Sequence, residues 1–188
     1  MTDTTAIRGG TVVDASGSRK ADVVVGADGT ILAVGDALDG DHTLDASGCV
    51  VSPGLVDLHV HLRQPGKEEA ETIETGARGA ALGGFTAVVA MPNTTPAMDC
   101  AAVVREVQEL GRDACCEVGP SAAITVGRDG EALSPMAELV RLGVRIFTDD
   151  GTGVQDDKLM RTALEYAGSL SHLADGVPIV LAQHCEVS

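Results

Sequence analysis

The chain has 188 residues, of which 44% are hydrophobic and 22% are charged, which is typical of a folded globular protein and excludes a disordered or fibrous one. Thirteen Lys and Arg against 28 Asp and Glu give a formal net charge of −15, which would repel a nucleic-acid backbone or an anionic membrane surface. We therefore expect no nucleic-acid partner. The sequence shows neither a signal-peptide pattern nor an apolar run of membrane-spanning length, so we also expect no membrane association and a cytoplasmic location.

Residues 1–50 predict a small β-sandwich lobe. Turn signals rich in Gly and Asp separate short runs of β-forming residues, and there is little sign of helix. The strand candidates are Ile7–Val13, Asp22–Val25, Ile31–Val34 and Cys49–Val51. None of these runs carries a group of residues that suggests a reactive centre.

Residues 51–188 predict strands that alternate with helices. The strand candidates are Leu55–Val60, Thr86–Met91, Cys115–Ile124, Val144–Phe147 and Pro178–Ala182. Helix candidates lie between them near 68–82, 99–112, 133–142 and 156–173. Continuous apolar runs indicate strands buried on both faces, as in a parallel sheet covered by helices. A doubly wound sheet and a (β/α)₈ barrel both fit this order, and no G-x-G-x-x-G follows the first strand to favour a dinucleotide-binding fold.

Polar side chains with catalytic potential follow four of the five strand candidates. His59 and His61 end the first, Asn93 follows the second, Asp150 the fourth and His184 the fifth. The carboxyl ends of parallel strands form the site in α/β folds, so we expect these groups to converge. A closed barrel of this kind has eight β/α units, and we expect the five units here to be part of one.

The spacing of the histidines favours a metal site. His59 and His61 are two residues apart, so on an extended strand both rings project from the same face. A lone H-x-H pair is weak evidence, and two adjacent aspartates before a glycine often form a plain turn. Together with His184 and one carboxylate, however, the set suits zinc and leaves room for water. Asp149 and Asp150 should point to opposite faces, so at most one is expected to be a direct ligand.

Five segments together resemble the dihydroorotases of the amidohydrolase superfamily. Residues 52–66 (SPGLVDLHVHLRQPG) resemble the family signature, and GGFT at 83–86, MPNT at 91–94, FTDDG at 147–151 and QHCE at 183–186 follow in the family's order. The resemblance implies an α/β fold in which a small β-sandwich lobe, built from both chain ends, accompanies a (β/α)₈ TIM-type barrel. Residues 51–188 would then be the first five β/α units of that barrel.

The resemblance also implies a ligand set. His59 and His61 match the paired metal ligands, Asp150 matches the carboxylate ligand, and His184 matches a ligand of a second metal position, so one or two Zn²⁺ ions are expected. Hydantoinases and allantoinases place a carboxylated lysine where this chain has residues 148–150. The aspartate therefore favours the dihydroorotase branch and leaves the number of ions open.

The implied reaction is the reversible hydrolysis of L-dihydroorotate to N-carbamoyl-L-aspartate, a step of pyrimidine biosynthesis. Arg63 and Asn93 match the groups that bind the carboxylate of this small-molecule substrate. No catalytic general base is expected within the chain, because the family's aspartate would lie beyond Ser188, and we expect the 188 residues alone to be inactive. The alternatives are another cyclic amidase (an allantoinase or hydantoinase) and a non-catalytic structural partner of aspartate transcarbamoylase. A homo-oligomer is also possible.

Overall fold

The computed structural model describes residues 3–186, which divide into two compact units with the boundary between Gly54 and Leu55. The first unit is all β. Its strands are β1 (Thr4–Arg8), β2 (Thr11–Asp14), β3 (Gly17–Lys20), β4 (Asp22–Gly26), β5 (Ile31–Gly35), β6 (His42–Asp45) and β7 (Val50–Val51). They form a four-stranded sheet in the order β5-β4-β1-β6 and a three-stranded sheet in the order β3-β2-β7.

Both sheets contribute to one small core. Val12 of the three-stranded sheet and Val23 of the four-stranded sheet are buried together with Ala21, and Val51 packs against them. Val51 lies in β7, which pairs in parallel with β2. This pairing places β7 in the first unit.

The strand predictions for this unit are only partly right. The predicted strand Ile7–Val13 is two strands, because Gly9 has a φ of +78° and turns the chain between β1 and β2. Strands β3 and β6 are absent from the predictions. Every residue of both is exposed, so neither strand needs the apolar alternation by which strands are found.

The second unit alternates strands with helices. In chain order it contains β8 (Leu55–Val60), α1 (Ile73–Leu82), β9 (Phe85–Ala90), α2 (Ala101–Gly111), β10 (Glu117–Pro120), α3 (Met136–Arg141), β11 (Ile146–Phe147), α4 (Asp157–Ser169) and β12 (Val180–Leu181). Mixed α/β content is thereby confirmed. All four helices begin later than predicted, and two of them begin after a side-chain cap: the Thr72 side chain caps α1, and the Asp156 carboxylate caps α4.

The five strands are parallel and follow one another in sequence order. Strand β9 pairs with β8 and with β10, and β11 pairs with β12. A parallel bridge between Ala122 and Phe147 joins the segment after β10 to β11. All five carboxyl ends therefore lie along one edge, where the predicted site residues are found.

Helices cover the sheet and form two buried clusters. Phe147, Ile124 and Leu139 are fully buried in one of them, and Ile73 and Val107 in the other. The expectation that every strand is buried on both faces is wrong for β8. Leu55, Val56 and Leu58 are more than half exposed, because β8 pairs with only one strand among the described residues. None of the helices within residues 3–186 has the length and apolarity needed to cross a bilayer.

Candidate metal centre

Two histidines at the end of β8 form one side of the site. His59 lies in the strand and His61 follows its last residue, so the extended backbone directs both rings to the same side. Their ring centroids are 5.2 Å apart and the rings meet edge to face. His61 is the less exposed of the two side chains.

The carboxylate of Asp150 lies between these rings. Asp150 follows β11, and its side chain is almost completely buried. His59 Nε2 is 3.2 Å from Asp150 Oδ1, and His61 Nε2 is 3.6 Å from Asp150 Oδ2. One donor atom from each of the three residues lies within 4.8 Å of the other two. The predicted convergence of the strand ends is therefore present for these residues.

His184 and Asn93 complete the cluster. His184 Nδ1 is 3.5 Å from Asp150 Oδ1. The Asn93 amide nitrogen donates to Asp150 Oδ2 at 3.1 Å, and its amide oxygen lies 3.0 Å from His61 Nδ1. A proton on His61 Nδ1 satisfies that contact and leaves Nε2 with a free lone pair facing the carboxylate. Asn93 thus orients both a histidine and the aspartate.

The arrangement fits a bound cation. Nitrogens of three imidazoles face one carboxylate, and a carboxylate carries no hydrogen of its own when ionised. Each of these contacts therefore requires either a proton on the ring or a cation shared by ring and carboxylate. Imidazole nitrogens with one carboxylate oxygen are ligands that zinc accepts. His59, His61 and Asp150 could hold such an ion, and His184 contacts the same carboxylate.

Arg63 lies outside this hydrogen-bonded cluster. It is half-buried and has a φ of +59°, and its carbonyl oxygen accepts from the Lys67 amide at 3.0 Å. Its side chain forms no hydrogen bond or ion pair with any residue in the described part of the chain. Its loop packs closely on the loop that carries Asn93: the Thr95 amide donates to the Pro65 carbonyl at 3.0 Å. A Cβ atom at Gly66 would overlap the Thr95 carbonyl oxygen, so only glycine fits there.

Asp149 has a structural environment that the sequence did not reveal. Its side chain is fully buried and accepts hydrogen bonds from the Ile124 amide at 2.8 Å, the Thr125 amide at 3.1 Å and the Thr125 hydroxyl. Arg128 Nη1 donates to the carbonyl oxygen of Asp150 at 2.7 Å. The only available signal was the opposite direction of adjacent strand residues, which predicts that Asp149 and Asp150 have different partners.

A model of the Dihydro-orotase-like family matches residues 48–186, which is most of the chain and includes all six predicted site residues. The chain belongs to the Dihydro-orotase-like family. The resemblance inferred from the five segments is therefore confirmed.

Curated relatives in the Dihydro-orotase-like family include the dihydroorotase of Pelotomaculum thermopropionicum, which is 46% identical over 184 residues. That alignment covers 96% of this chain and 41% of the relative. The dihydroorotase of Streptomyces coelicolor is 44% identical over 188 residues, covering 97% of this chain and 41% of the relative. The chain thus spans about two fifths of the length of these relatives.

Solved structures share the fold at lower sequence identity. The L-hydantoinase (dihydropyrimidinase) of Arthrobacter aurescens superposes with a TM-score of 0.75 at 20% identity, covering 91% of this chain and 39% of that one. A crystal structure of a dihydroorotase gives a TM-score of 0.60 at 17% identity, covering 87% of this chain and 48% of that one. These likenesses show a common fold for this member of the Dihydro-orotase-like family, and at such identities they show nothing of its substrate.

Proposed function

We propose that the protein is a dihydroorotase, which hydrolyses L-dihydroorotate reversibly to N-carbamoyl-L-aspartate. The observation that carries the proposal is the carboxylate of Asp150 faced by three imidazole nitrogens at a parallel-strand edge. Curated relatives named dihydroorotase support the substrate, since they are 43–47% identical to this chain.

His59, His61, Asp150 and His184 would hold one or two Zn²⁺ ions. When bound, zinc supplies a Lewis acid that polarises an amide carbonyl and lowers the pKa of water to about 7. The protein's own contribution is to fix the ligands. The Asn93 amide oxygen accepts from His61 Nδ1 when that nitrogen carries the proton, which leaves Nε2 facing the site, and the Asn93 amide nitrogen donates to Asp150.

Arg63 and Asn93 would bind the substrate carboxylate. Because the Arg63 side chain has no polar partner among the described residues, its planar guanidinium is available for a bidentate contact with a carboxylate. Asn93 lies within hydrogen-bonding distance of both His61 and Asp150, so a carboxylate held beside it would be next to the metal ligands.

The two units of the chain correspond to two parts of the fold that the resemblance implies. We propose that the five parallel strands are the first five β/α units of a (β/α)₈ barrel and that the all-β unit is its small β-sandwich lobe. The relatives, of which this chain spans about 41%, support this reading. A cytoplasmic location, a homo-oligomer and an association with aspartate transcarbamoylase also stay predictions.

Hydantoinase and allantoinase activities are the main alternatives within the fold. Hydantoinases superpose well, but they are only 20–28% identical in sequence. Asp150 argues for the dihydroorotase branch, because it occupies the segment in which hydantoinases would carry a carboxylated lysine. Assays with hydantoin and allantoin beside dihydroorotate distinguish the three substrates.

The test is His61→Ala in the natural polypeptide at its full length, with His172→Ala as the matched control. His172 is an exposed histidine after α4 whose ring contacts the Ser169 carbonyl, so its loss should change neither metal content nor activity. His61→Ala should reduce bound zinc and abolish ring opening of dihydroorotate and ring closure of carbamoyl-aspartate. Unchanged zinc content and turnover in His61→Ala would refute the proposed site.

A further inference from the structure

We propose that Asp149 is a positioning residue whose buried carboxylate fixes the backbone after β11, so that Asp150 faces the histidines. Asp149 forms no ion pair with a described residue, and its charge is balanced only by three hydrogen-bond donors from Ile124 and Thr125. Burying a carboxylate without a cation is costly, and such an arrangement persists where its geometry is required. The proposal rests on the metal site proposed above.

The direction of the two aspartates follows from this anchor. Asp150 begins a turn, in which the amides of Thr152 and Gly153 donate to the Asp149 carbonyl at 3.0 and 2.8 Å. Because Asp149 is bound to the segment that follows β10, Asp150 is directed to the other side, where it meets His59, His61 and Asn93. A rotation of this backbone that broke the contacts of one aspartate would displace the other.

A second set of contacts holds the same backbone from the C-terminal side. Arg128 donates to the carbonyl oxygen of Asp150 at 2.7 Å, and the Thr152 hydroxyl lies within hydrogen-bonding distance of the carbonyl oxygens of Arg128 and Asp149. Residues 124–128 and residues 149–152 therefore each donate hydrogen bonds to the other segment, through side chains and backbone. Neither set of contacts involves a candidate metal ligand's side chain, so their role is to orient Asp150.

The experiment measures zinc affinity by chelator competition and stability by chemical denaturation, in the natural polypeptide at its full length. Asp149→Ala removes the anchor and should lower zinc affinity 10- to 100-fold, the usual effect of losing a group that orients a ligand. Asp149→Asn keeps an oxygen for the two amides, and the Thr125 hydroxyl can accept from its new amide group. Its zinc affinity should stay within about threefold of the unsubstituted protein.

Ser134→Ala is the matched control. Ser134 is as buried as Asp149, and its hydroxyl donates to the Ala123 carbonyl at 2.7 Å, next to the anchored segment but without contact to residues 149–150. It should lower stability while leaving zinc affinity unchanged. If Asp149→Ala does not fold, Thr125→Val removes one donor and Thr125→Ser keeps it, and only the valine variant should weaken zinc binding.

The outcomes separate the two proposals. Equal zinc affinity in Asp149→Ala and the unsubstituted protein would show a purely structural role and overturn the inference. Equal losses in Asp149→Ala and Asp149→Asn would indicate that charge, and not position, is what Asp149 supplies, which also overturns it. If the unsubstituted protein binds no zinc, or His61→Ala binds as much, the proposed function fails instead.

Discussion

The two units of the chain differ in how deeply their charged residues are buried. In the unit up to Gly54, carboxylates pair on the surface, as Asp14 does with Arg19. In the unit from Leu55, Asp149 and Asp150 are buried beside the strand ends. Among residues 3–186, every buried polar or charged side chain belongs to the second unit: Thr94, Ser121, Thr125, Ser134, Thr148, Asp149 and Asp150.

This difference indicates where the protein's chemistry lies. A buried polar group costs free energy unless it is hydrogen-bonded. Several such groups at one sheet edge therefore indicate that the positions of their side chains are important there. A surface ion pair costs little and contributes little. Substitutions in the first unit should therefore affect only stability, whereas those at the strand ends of the second should also affect ligand binding.

The largest expected effect on stability concerns the cores of the two units. Phe147 is fully buried in the larger cluster, so Phe147→Ala should lower the free energy of unfolding by about 3–5 kcal/mol. Val23→Ala removes two methyl groups from the smaller core and should cost about 1–2 kcal/mol. Urea denaturation of both variants gives the comparison. Equal losses would mean that the small core is as important as the large one.

A smaller effect is expected at Arg63. Arg63→Met should raise KM for the carboxylated substrate by roughly 10- to 150-fold, corresponding to about 1.5–3 kcal/mol for a hydrogen bond to a charged group. Arg19→Met, in the first unit, is the control and should leave KM unchanged because Arg19 pairs with Asp14 on the surface. Steady-state kinetics of both variants test the difference. An unchanged KM for Arg63→Met would remove this residue from the substrate site.

The smallest effect is the pH response of the first unit. A hydrogen bond from Arg19, and then those from Ser16, hold the pKa of the Asp14 carboxyl below its usual value of 3.8. The folded pKa is thus below the unfolded one, so the stabilisation is complete above pH 3.8 and is lost as the pH falls through the folded pKa. Arg19→Gln should raise the pKa of Asp14 in an NMR titration. Because the pair is exposed, zinc affinity should not change.

The sequence predicts the second unit better than the first. Strand β8 lies at its predicted residues, because a run of apolar residues marks it clearly. The polar groups that converge on Asp150 are also recognisable, since each lies at the end of such a run or shortly after it. Strands β3 and β6 could not be predicted from polar, fully exposed sequences.

The environment of Asp149 could not be predicted either. Its donors lie 24 and 25 residues earlier in the chain, so their proximity depends on how the segment after β10 pairs with β11. No local pattern encodes that distance. The exposure of Leu55 and Leu58 was missed for the same reason, because hydrophobicity alone does not reveal which strand of a sheet has a single neighbour.

The close packing of Gly66 on Thr95 has a consequence for how the site can evolve. The loop that carries Arg63 and the loop that carries Asn93 touch with no room for a side chain between them. The positions of Arg63 and Asn93, the two candidate substrate-binding residues, are therefore coupled, and a shift of either loop displaces both. An insertion in one of these loops would have to be accompanied by a compensating change in the other. A change of substrate preference through loop insertion therefore requires paired mutations.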